Sequence, residues 1–213
     1  MIIDCISDLH GEFPELPGGD LLIVAGDLTS SDEYIPYTDV FEWLCGQEYK
    51  MKIVIAGNHD NKMQNDLDFD FPEENIVHLE DSGIEFEGLK IWGTPWSLHF
   101  DGVNPHCTAF MGNEEDLDKK YQMIPNDTDI LISHSPMKYM LDQSIRSGVN
   151  CGSWSLRKAV DRVKPKLFVC GHIHEHGGKT LLYKHEGKNT ICVNASLMNE
   201  NYEFVYEPMR VVL

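Results

Sequence analysis

The sequence predicts a layered α/β domain whose helices lie outside a two-sheet core. Short apolar runs recur along the chain, and they stop abruptly at clusters of Gly, Asp, Asn, Ser or His. Segments with apolar residues at helical spacing lie between these runs. Apolar runs bounded by Gly are typical of strands buried on both faces, and such strands need helices to cover their sheets.

The strands are predicted from their content of Ile, Leu and Val. The five clearest runs are residues 2–6, 21–25, 53–56, 130–132 and 167–170. Shorter runs near residues 84–92, 181–183 and 190–193 are predicted to be further strands. Helices are predicted over residues 32–44, 114–123 and 152–163 from the spacing of their apolar residues, and Pro165 ends the last one.

Length and composition indicate a single globular domain over residues 1–213. Apolar residues make up 42% of the chain and charged residues 24%. This balance excludes a disordered chain and a collagen-like chain. A chain of 213 residues is also long enough to bury a substantial core without disulfide or zinc cross-links, which excludes a disulfide miniprotein.

The charge restricts the partners. Lys and Arg total 17 against 35 Asp and Glu, which gives a net charge of -18. Such a surface repels phosphate backbones and anionic membranes, so we expect neither a duplex nucleic acid nor a membrane as partner. The six cysteines form no C-x-x-C pair, and no signal peptide or membrane span is visible. These features predict a soluble cytoplasmic protein with reduced thiols, whose oligomeric state the sequence does not indicate.

Metal-ligating side chains follow the five clearest strands. Asp8 and His10 are two residues apart, as are His172 and His174, so in extended backbone each pair faces one side. Single candidates follow the other three strands: Asp27, Asn58 and His134. Ligands of open α/β sheets bind beyond the carboxyl ends of the strands, where these side chains are expected to converge.

The chemistry of this set favours two cations. Two carboxylates, one amide oxygen and four imidazoles, with no thiolate, suit Mn, Fe, Zn, Co or Ni. Seven groups are too many for one ion, whereas two ions about 3.5–4 Å apart that share a carboxylate use them all. Two divalent ions, two carboxylates and a bridging hydroxide leave a charge of about +1, which suits a phosphate anion.

The motifs in this order resemble the calcineurin-like metallophosphoesterase superfamily, over residues 4–196. The matching motifs are Asp8-x-His10, Gly26-Asp27, Gly57-Asn58-His59-Asp60, His134 and Gly171-His172-x-His174. Within the superfamily the chain is most similar to the small metallophosphoesterase-domain-containing branch. That likeness rests on residues 53–59, 92–96, 165–167, 171–175 and 194–196.

The resemblance implies a four-layer α/β/β/α sandwich of two mixed sheets flanked by helices, with the metal site at the strand carboxyl ends. It also implies a dinuclear metal-dependent phosphoesterase, with Mn as the favoured metal. Asp8, His10 and His174 would hold the first ion. Asn58, His134 and His172 would hold the second, and Asp27 would bridge them. A hydroxide between the ions would attack phosphorus, and His59 would protonate the leaving oxygen.

Departures from relatives suggest the substrate. Protein Ser/Thr phosphatases of the superfamily carry one Arg after Gly-Asp and another after Gly-Asn-His-Glu, but residues 26–32 and 57–61 contain none. Arginine suits a dianionic monoester, and a monoanionic diester needs less positive charge. We therefore expect a phosphodiesterase acting on a small cyclic nucleotide or nucleotide-like substrate. Asn58, Trp96 and His99 are the candidate substrate-binding residues, although Trp96 also suits the core.

Three other functions remain open from the sequence. A phosphomonoesterase acting on a protein or metabolite is disfavoured by the missing arginines. A nuclease is disfavoured by the acidity of the chain. A non-catalytic, metal-dependent scaffold is disfavoured by the intact ligand set and by His59.

Overall fold

The computed structural model describes residues 1–30, 37–66, 71, 73–100 and 106–213. Its first sheet has five strands in the order β13-β1-β2-β3-β4. Strands β1 to β4 are parallel, and β13 pairs antiparallel with β1. The strands are β1 (Ile2–Ile6), β2 (Gly19–Ala25), β3 (Tyr49–Ile55), β4 (Ile76–His78) and β13 (Met209–Val212).

The second sheet has six strands in the order β11-β12-β10-β9-β6-β5. Its four central strands are parallel, and both edge strands are antiparallel to their neighbours. A small third sheet pairs β7 (Ser97–Leu98) with β8 (Met111–Gly112). The six strands are β5 (Ser82–Phe86), β6 (Leu89–Thr94), β9 (Ile130–Ser133), β10 (Leu167–Cys170), β11 (Lys179–Lys184) and β12 (Asn189–Asn194).

Two of the helices follow residues whose side chains cap them. Asn113 accepts hydrogen bonds from two backbone N–H groups of α3, and Ser153 accepts one from α4. The helices are α1 (Tyr37–Cys45), α2 (Asn61–Asn65), α3 (Glu114–Tyr121) and α4 (Trp154–Val163), with a 3-10 helix over His174–His176. Part of the first predicted helix, residues 32–36, lies outside the described residues. No helix in the described part of the chain is long and apolar enough to cross a membrane.

Side chains that point alternately to the two faces of each strand produce the four predicted layers. In β2, Leu22 and Val24 pack under α1, whereas Ile23 packs between the two sheets. In β9, Ile130 packs between the sheets and Leu131 packs under α3 and α4. Because successive side chains of a strand point to opposite faces, each central strand is buried on both sides. The two mixed sheets flanked by helices confirm the predicted fold.

The sequence patterns did not predict α2, β4, β7 and β8, and two further features differ from expectation. The run near residues 84–92 is a hairpin of two strands, because Glu87 and Gly88 both adopt positive φ values, of 46° and 79°. The C-terminal residues form β13 and extend the first sheet. Neither feature moves the carboxyl ends of the parallel strands, which meet at one edge of the sandwich.

Candidate metal centre

The loops that follow the strands place the ligands with unusual backbone geometry. Asp8, His10, Asp27 and His172 all have left-handed backbone, with φ between 46° and 67°. Residues other than Gly rarely adopt this conformation, and such strain concentrates at functional sites. The first two loops hold each other in place: the Asp8 N–H donates to the Gly26 carbonyl at 2.9 Å, and the His10 N–H donates to the Asp27 carbonyl at 3.1 Å.

Two glycines allow the loops to approach the carboxylates. A Cβ atom on Gly57 would lie 2.2 Å from Oδ1 of Asp27. A Cβ atom on Gly171 would lie 2.3 Å from Oδ2 of Asp8. Both distances are far inside van der Waals contact, so any larger residue at either position would displace a predicted ligand.

Asp27, Asn58 and His134 form one group of donors, here called the His134 cluster. Nδ1 of His134 donates to the carbonyl of Ala25, the last residue of β2, at 2.9 Å. In the neutral ring Nε2 then carries a lone pair, which lies 3.1 Å from Oδ1 of Asn58 and 3.3 Å from Oδ2 of Asp27. Three acceptors that face each other repel unless a proton or a cation lies among them.

Asp8, His10 and His174 form a second group, the His174 cluster. Nδ1 of His174 donates to the carbonyl of Asn199 at 3.1 Å. Its Nε2 lies 3.2 Å from Oδ1 of Asp8 and 3.3 Å from Nε2 of His10. The arrangement repeats that of the His134 cluster, with an anchored imidazole whose lone pair faces other acceptors.

Asp27 lies between the two clusters. Its Oδ2 is 3.3 Å from Nε2 of His134 and 3.9 Å from Nε2 of His10. The ligand atoms of Asp8, His10 and His174 lie within 4.8 Å of one another, as do those of Asp8, Asp27 and His134. Nitrogen and oxygen donors of this kind fit borderline divalent cations. The residues therefore fit two such ions, one in each cluster, with Asp27 within reach of both.

The second predicted histidine pair is divided in the structure. His174 belongs to its cluster, whereas the ring of His172 packs against that of His134 with 5.0 Å between centroids. The His172 N–H donates to both Asp8 oxygens, at 3.0 and 3.1 Å. This contact ties the loop after β10 to the loop after β1.

The titration of the imidazoles follows their surroundings. Burial would lower the pKa of His134, but the Asp27 carboxylate raises it to about 9. Burial prevails at His10, whose pKa is lowered to about 4. Although burial opposes ionisation of Asp27, the surrounding imidazoles hold the pKa of that carboxyl well below its usual range. At physiological pH the Asp27 carboxylate is therefore charged and the His10 ring neutral, as metal ligands must be, whereas His134 would have to release its proton when a cation binds.

His59 borders the centre. Its N–H donates to Oδ1 of Asp27 at 2.9 Å, and its Nδ1 lies 2.7 Å from the Ser30 carbonyl and 3.1 Å from Sγ of Cys107. Its Nε2 lies 4.0 Å from Oδ2 of Asp27. Burial disfavours the charged ring, but the Asp27 carboxylate raises the pKa of His59 to about 10. A protonated imidazole anchored through Nδ1 has its Nε2–H available to donate.

Asp60 hydrogen-bonds to the loops that follow β2 and β3. Its buried carboxylate accepts hydrogen bonds from the Gly57 N–H at 2.8 Å, the Leu28 N–H at 3.1 Å and the Thr29 N–H at 3.3 Å. These donors belong to the loops after β2 and β3, which carry Asp27 and Asn58. Asp60 therefore fixes two loops of the His134 cluster relative to each other.

The predicted substrate-binding residues are separated. Asn58 lies in the His134 cluster. Trp96 donates from Nε1 to Asp81 at 2.9 Å and lies under the ammonium of Lys120 at 4.4 Å. His99 is exposed, and its N–H donates to Gly112 at 2.9 Å. None of these contacts of Trp96 and His99 involves a predicted metal ligand.

The sequence analysis did not identify Tyr202, whose ring packs on two predicted ligands. Its centroid lies 4.9 Å from that of His10 and 4.9 Å from that of His174. The available signal was topological: β12 runs parallel to β10, so the chain leaving β12 returns to the edge that holds the ligands. Its Asn-rich segment, residues 199–202, is suited to a turn.

Comparisons with known proteins agree with this geometry. The sequence model described as calcineurin-like phosphoesterase matches residues 1–176. The chain belongs to the calcineurin-like phosphoesterase family. This membership confirms the resemblance predicted from the motifs, and it identifies the protein as a metal-dependent phosphoesterase.

Relatives within the family match nearly the whole chain. Human metallophosphoesterase domain-containing protein 1 is 34% identical over 239 residues, which cover 98% of this chain and 70% of the human protein. The Caenorhabditis elegans UPF0046 protein C25E10.12 is 31% identical. The match covers 96% of this chain and 78% of the worm protein.

Solved structures show the same fold at low identity. The TT1561 protein of Thermus thermophilus superposes with a TM-score of 0.62 at 14% identity, over 92% of this chain and 90% of that one. A phosphopantetheinyl hydrolase from Mycobacterium tuberculosis superposes with a TM-score of 0.56 at 16% identity. The superposition covers 94% of this chain and 90% of the hydrolase chain. Both likenesses concern the fold alone.

Proposed function

We propose that the protein hydrolyses a small phosphodiester, such as a cyclic nucleotide or a nucleotide-like ester, at this centre. Asp8, His10 and His174 would hold one cation, Asn58, His134 and His172 the other, and Asp27 would be shared, with Mn favoured. The supporting observation is the pair of clusters in which an anchored imidazole faces other acceptors. Such repulsive arrangements are stable only around positive charge.

The chain's own residues account for the remaining steps. When bound, the two cations would activate water and neutralise charge on the phosphoryl oxygens. His59 would donate the proton from Nε2 to the leaving oxygen, because the Ser30 carbonyl holds its Nδ1 and the nearby Asp27 carboxylate favours its charged form. The buried Asp60 network would keep Asp27 and Asn58 in position during turnover.

The preference for a diester rests on missing positive charge. No hydrogen bond or ion pair in the described part of the chain joins a Lys or Arg to a predicted ligand, and the remaining segments contain neither residue. A dianionic monoester would lack the charge-assisted contacts that stabilise it. The four arginines donate to other groups: Arg146, Arg157, Arg162 and Arg210.

The test compares bis(4-nitrophenyl) phosphate with 4-nitrophenyl phosphate on the manganese-loaded protein. We expect kcat/KM for the diester to exceed that for the monoester by at least about tenfold, since each 1.4 kcal/mol of lost stabilisation is a factor of ten. Faster hydrolysis of the monoester would instead indicate a phosphomonoesterase.

A variant of His59 separates an enzyme from a scaffold. His59→Ala should keep both cations and lower kcat by roughly 10²–10⁴-fold, because it removes the proton donor and no ligand. Metal content is measured by elemental analysis on the same sample. A wild-type protein that binds both metals but hydrolyses neither ester would indicate a scaffold.

The proposal also assigns the protein to the cytoplasm. All six cysteines are unpaired, and four of them are buried. Free buried thiols are typical of a reducing compartment. Cell fractionation would test the assignment, and recovery of the protein from an oxidising compartment would contradict it.

A further inference from the structure

Tyr202 forms an aromatic wall beside the His174 cluster. Its ring centroid lies 4.9 Å from His10, 4.9 Å from His174 and 6.3 Å from His59. The residue nevertheless retains 48% exposure. The ring therefore packs on imidazoles of the centre while nearly half of the residue stays accessible to solvent.

The backbone of the loop fixes this position. Tyr202 has a φ of 60°, a conformation that is unfavourable for a bulky residue. The turn is built on Asn199, whose carbonyl accepts from the Tyr202 N–H at 3.0 Å and from Nδ1 of His174 at 3.1 Å. Its Oδ1 accepts from the N–H groups of Asn201 and Glu203. One residue thus anchors both a predicted ligand and the aromatic wall.

We propose that Tyr202 determines substrate specificity by packing against an aromatic ring in the leaving alcohol of the substrate. The inference rests on the proposed function, in which His59 protonates the leaving oxygen. His59 and Tyr202 both pack on the ring of His10, with centroid distances of 4.7 and 4.9 Å. An alcohol that departs beside His59 therefore has Tyr202 as its neighbour.

The charge of the protein supports recognition by an aromatic face. No Lys or Arg in the described part of the chain forms a hydrogen bond or ion pair with the predicted ligands, so neither residue type supplies recognition there. The aromatic ring of a half-exposed residue can bind another ring by offset or edge-to-face packing, which needs no charge. The substrates favoured are esters of aryl alcohols or nucleosides, rather than of small aliphatic alcohols.

The test measures binding of three phosphonates that share a head group and have no ester bond to break. Phenylphosphonate carries an aromatic ring, cyclohexylphosphonate a ring of similar size without a π face, and methylphosphonate no ring. Their dissociation constants are measured by calorimetry on the full-length, manganese-loaded protein. The wild type should bind phenylphosphonate more tightly than cyclohexylphosphonate.

Two variants of Tyr202 isolate the aromatic contact. Tyr202→Leu should weaken phenylphosphonate binding by roughly tenfold, the order expected when one stacking partner is removed. Binding of methylphosphonate should stay within about twofold. Tyr202→Phe should retain the preference for phenylphosphonate, because the ring remains. Melting temperature and metal content establish that each variant is folded and loaded.

Tyr139 provides a matched control. It has a φ of 62° and 58% exposure, and its ring packs on Trp154 with a centroid distance of 5.2 Å. Tyr139→Leu therefore removes a similar residue without touching the predicted ligands, and it should leave all three constants unchanged.

The outcomes separate this inference from the proposed function. If Tyr202→Leu leaves the ratio of phenyl to cyclohexyl binding unchanged, the role of Tyr202 is wrong while the metal centre stands. The same holds if Tyr139→Leu changes that ratio equally. If the loaded wild type binds none of the phosphonates, the role of Tyr202 is wrong, whereas the proposed function fails only if the loaded protein also does not hydrolyse bis(4-nitrophenyl) phosphate.

Discussion

The His134 cluster and the His174 cluster present similar donors but are anchored by different parts of the fold. His134 is fully buried, and its Nδ1 bonds to Ala25 in a central strand. His174 retains 8% exposure, and its Nδ1 bonds to Asn199 in a surface turn. Opening a surface turn costs much less free energy than breaking a central strand. One half of the centre is therefore rigid, and the other depends on a loop.

This difference has a functional consequence. The turn that anchors His174 also carries Tyr202, which we place beside the leaving group. Changes in this turn would alter substrate contact and metal affinity together. The His134 cluster, which is held by strand ends and by Asp60, would bind its cation independently of the substrate.

The largest effect is expected from Asp27, which lies between the two clusters. Asp27→Asn removes the carboxylate charge between the two cation positions, so we expect loss of both ions and a fall in kcat/KM of more than roughly 10³-fold. Elemental analysis after reconstitution measures the metal content. Retention of two ions per chain would show that Asp27 does not bridge them.

A matched pair of variants tests the clusters separately. His134→Ala should reduce metal content and also destabilise the fold, because it opens a cavity in a fully buried site and removes one of the two side-chain donors to the Ala25 carbonyl, of which the Ser7 hydroxyl is the other. His174→Ala should leave about one ion per chain and change the melting temperature less. Equal losses of stability in the two variants would contradict the difference in anchoring.

The metal-free protein should become less stable as pH rises from about 6.5 to about 9. The folded pKa of His134 is raised to about 9 and that of His59 to about 10, so the folded state binds protons that the unfolded state has released in this range. His10 has a lowered pKa and is neutral in the folded state, and because its unfolded ring loses its proton near pH 6.5 it contributes little over most of this range.

Thermal unfolding at several pH values measures this decline. Bound cations should reduce it, because they replace the protons in both clusters and stabilise the folded state. A metal-free protein whose melting temperature is constant from pH 6.5 to pH 9 would contradict the assignment of these histidines.

The smallest effect is expected from the turn itself. Asn199→Ala keeps the carbonyl that accepts from His174 but removes the side-chain hydrogen bonds to Asn201 and Glu203. We expect the cation of the His174 cluster, which is the one held by this turn, to bind roughly tenfold less tightly. Residues that hold a ligand in place typically contribute 10–100-fold to metal affinity. The cation of the His134 cluster should be unaffected. A calorimetric titration that resolves two binding events measures both affinities.

The sequence was sufficient for the buried strands that precede the predicted ligands, but not for β4, β7, β8 and β13. Runs such as residues 21–25 are buried on both faces, so their apolar content alone identifies them. Predicted ligands that directly follow such strands, including Asp27 and His134, converge because parallel strands end at one edge. The same reasoning predicted the two-sheet sandwich that the structure shows.

Other features depend on contacts between distant segments. The bond from His174 to Asn199 spans 25 residues, and no local pattern indicates it. Topology places the segment of Tyr202 at the edge with the predicted ligands, but the position of its ring follows from that turn. Trp96 shows the opposite difficulty: an aromatic residue near a strand end suits a substrate wall or a core equally well until its partners, here Asp81 and Lys120, are known.

The central claim is that two cations share Asp27, and paramagnetic resonance of the manganese-loaded protein tests it most directly. We predict about two manganese ions per chain and the signal of an exchange-coupled pair, which Asp27→Asn abolishes. A single ion per chain, or two ions that give only the six-line signal of isolated manganese, would contradict the account.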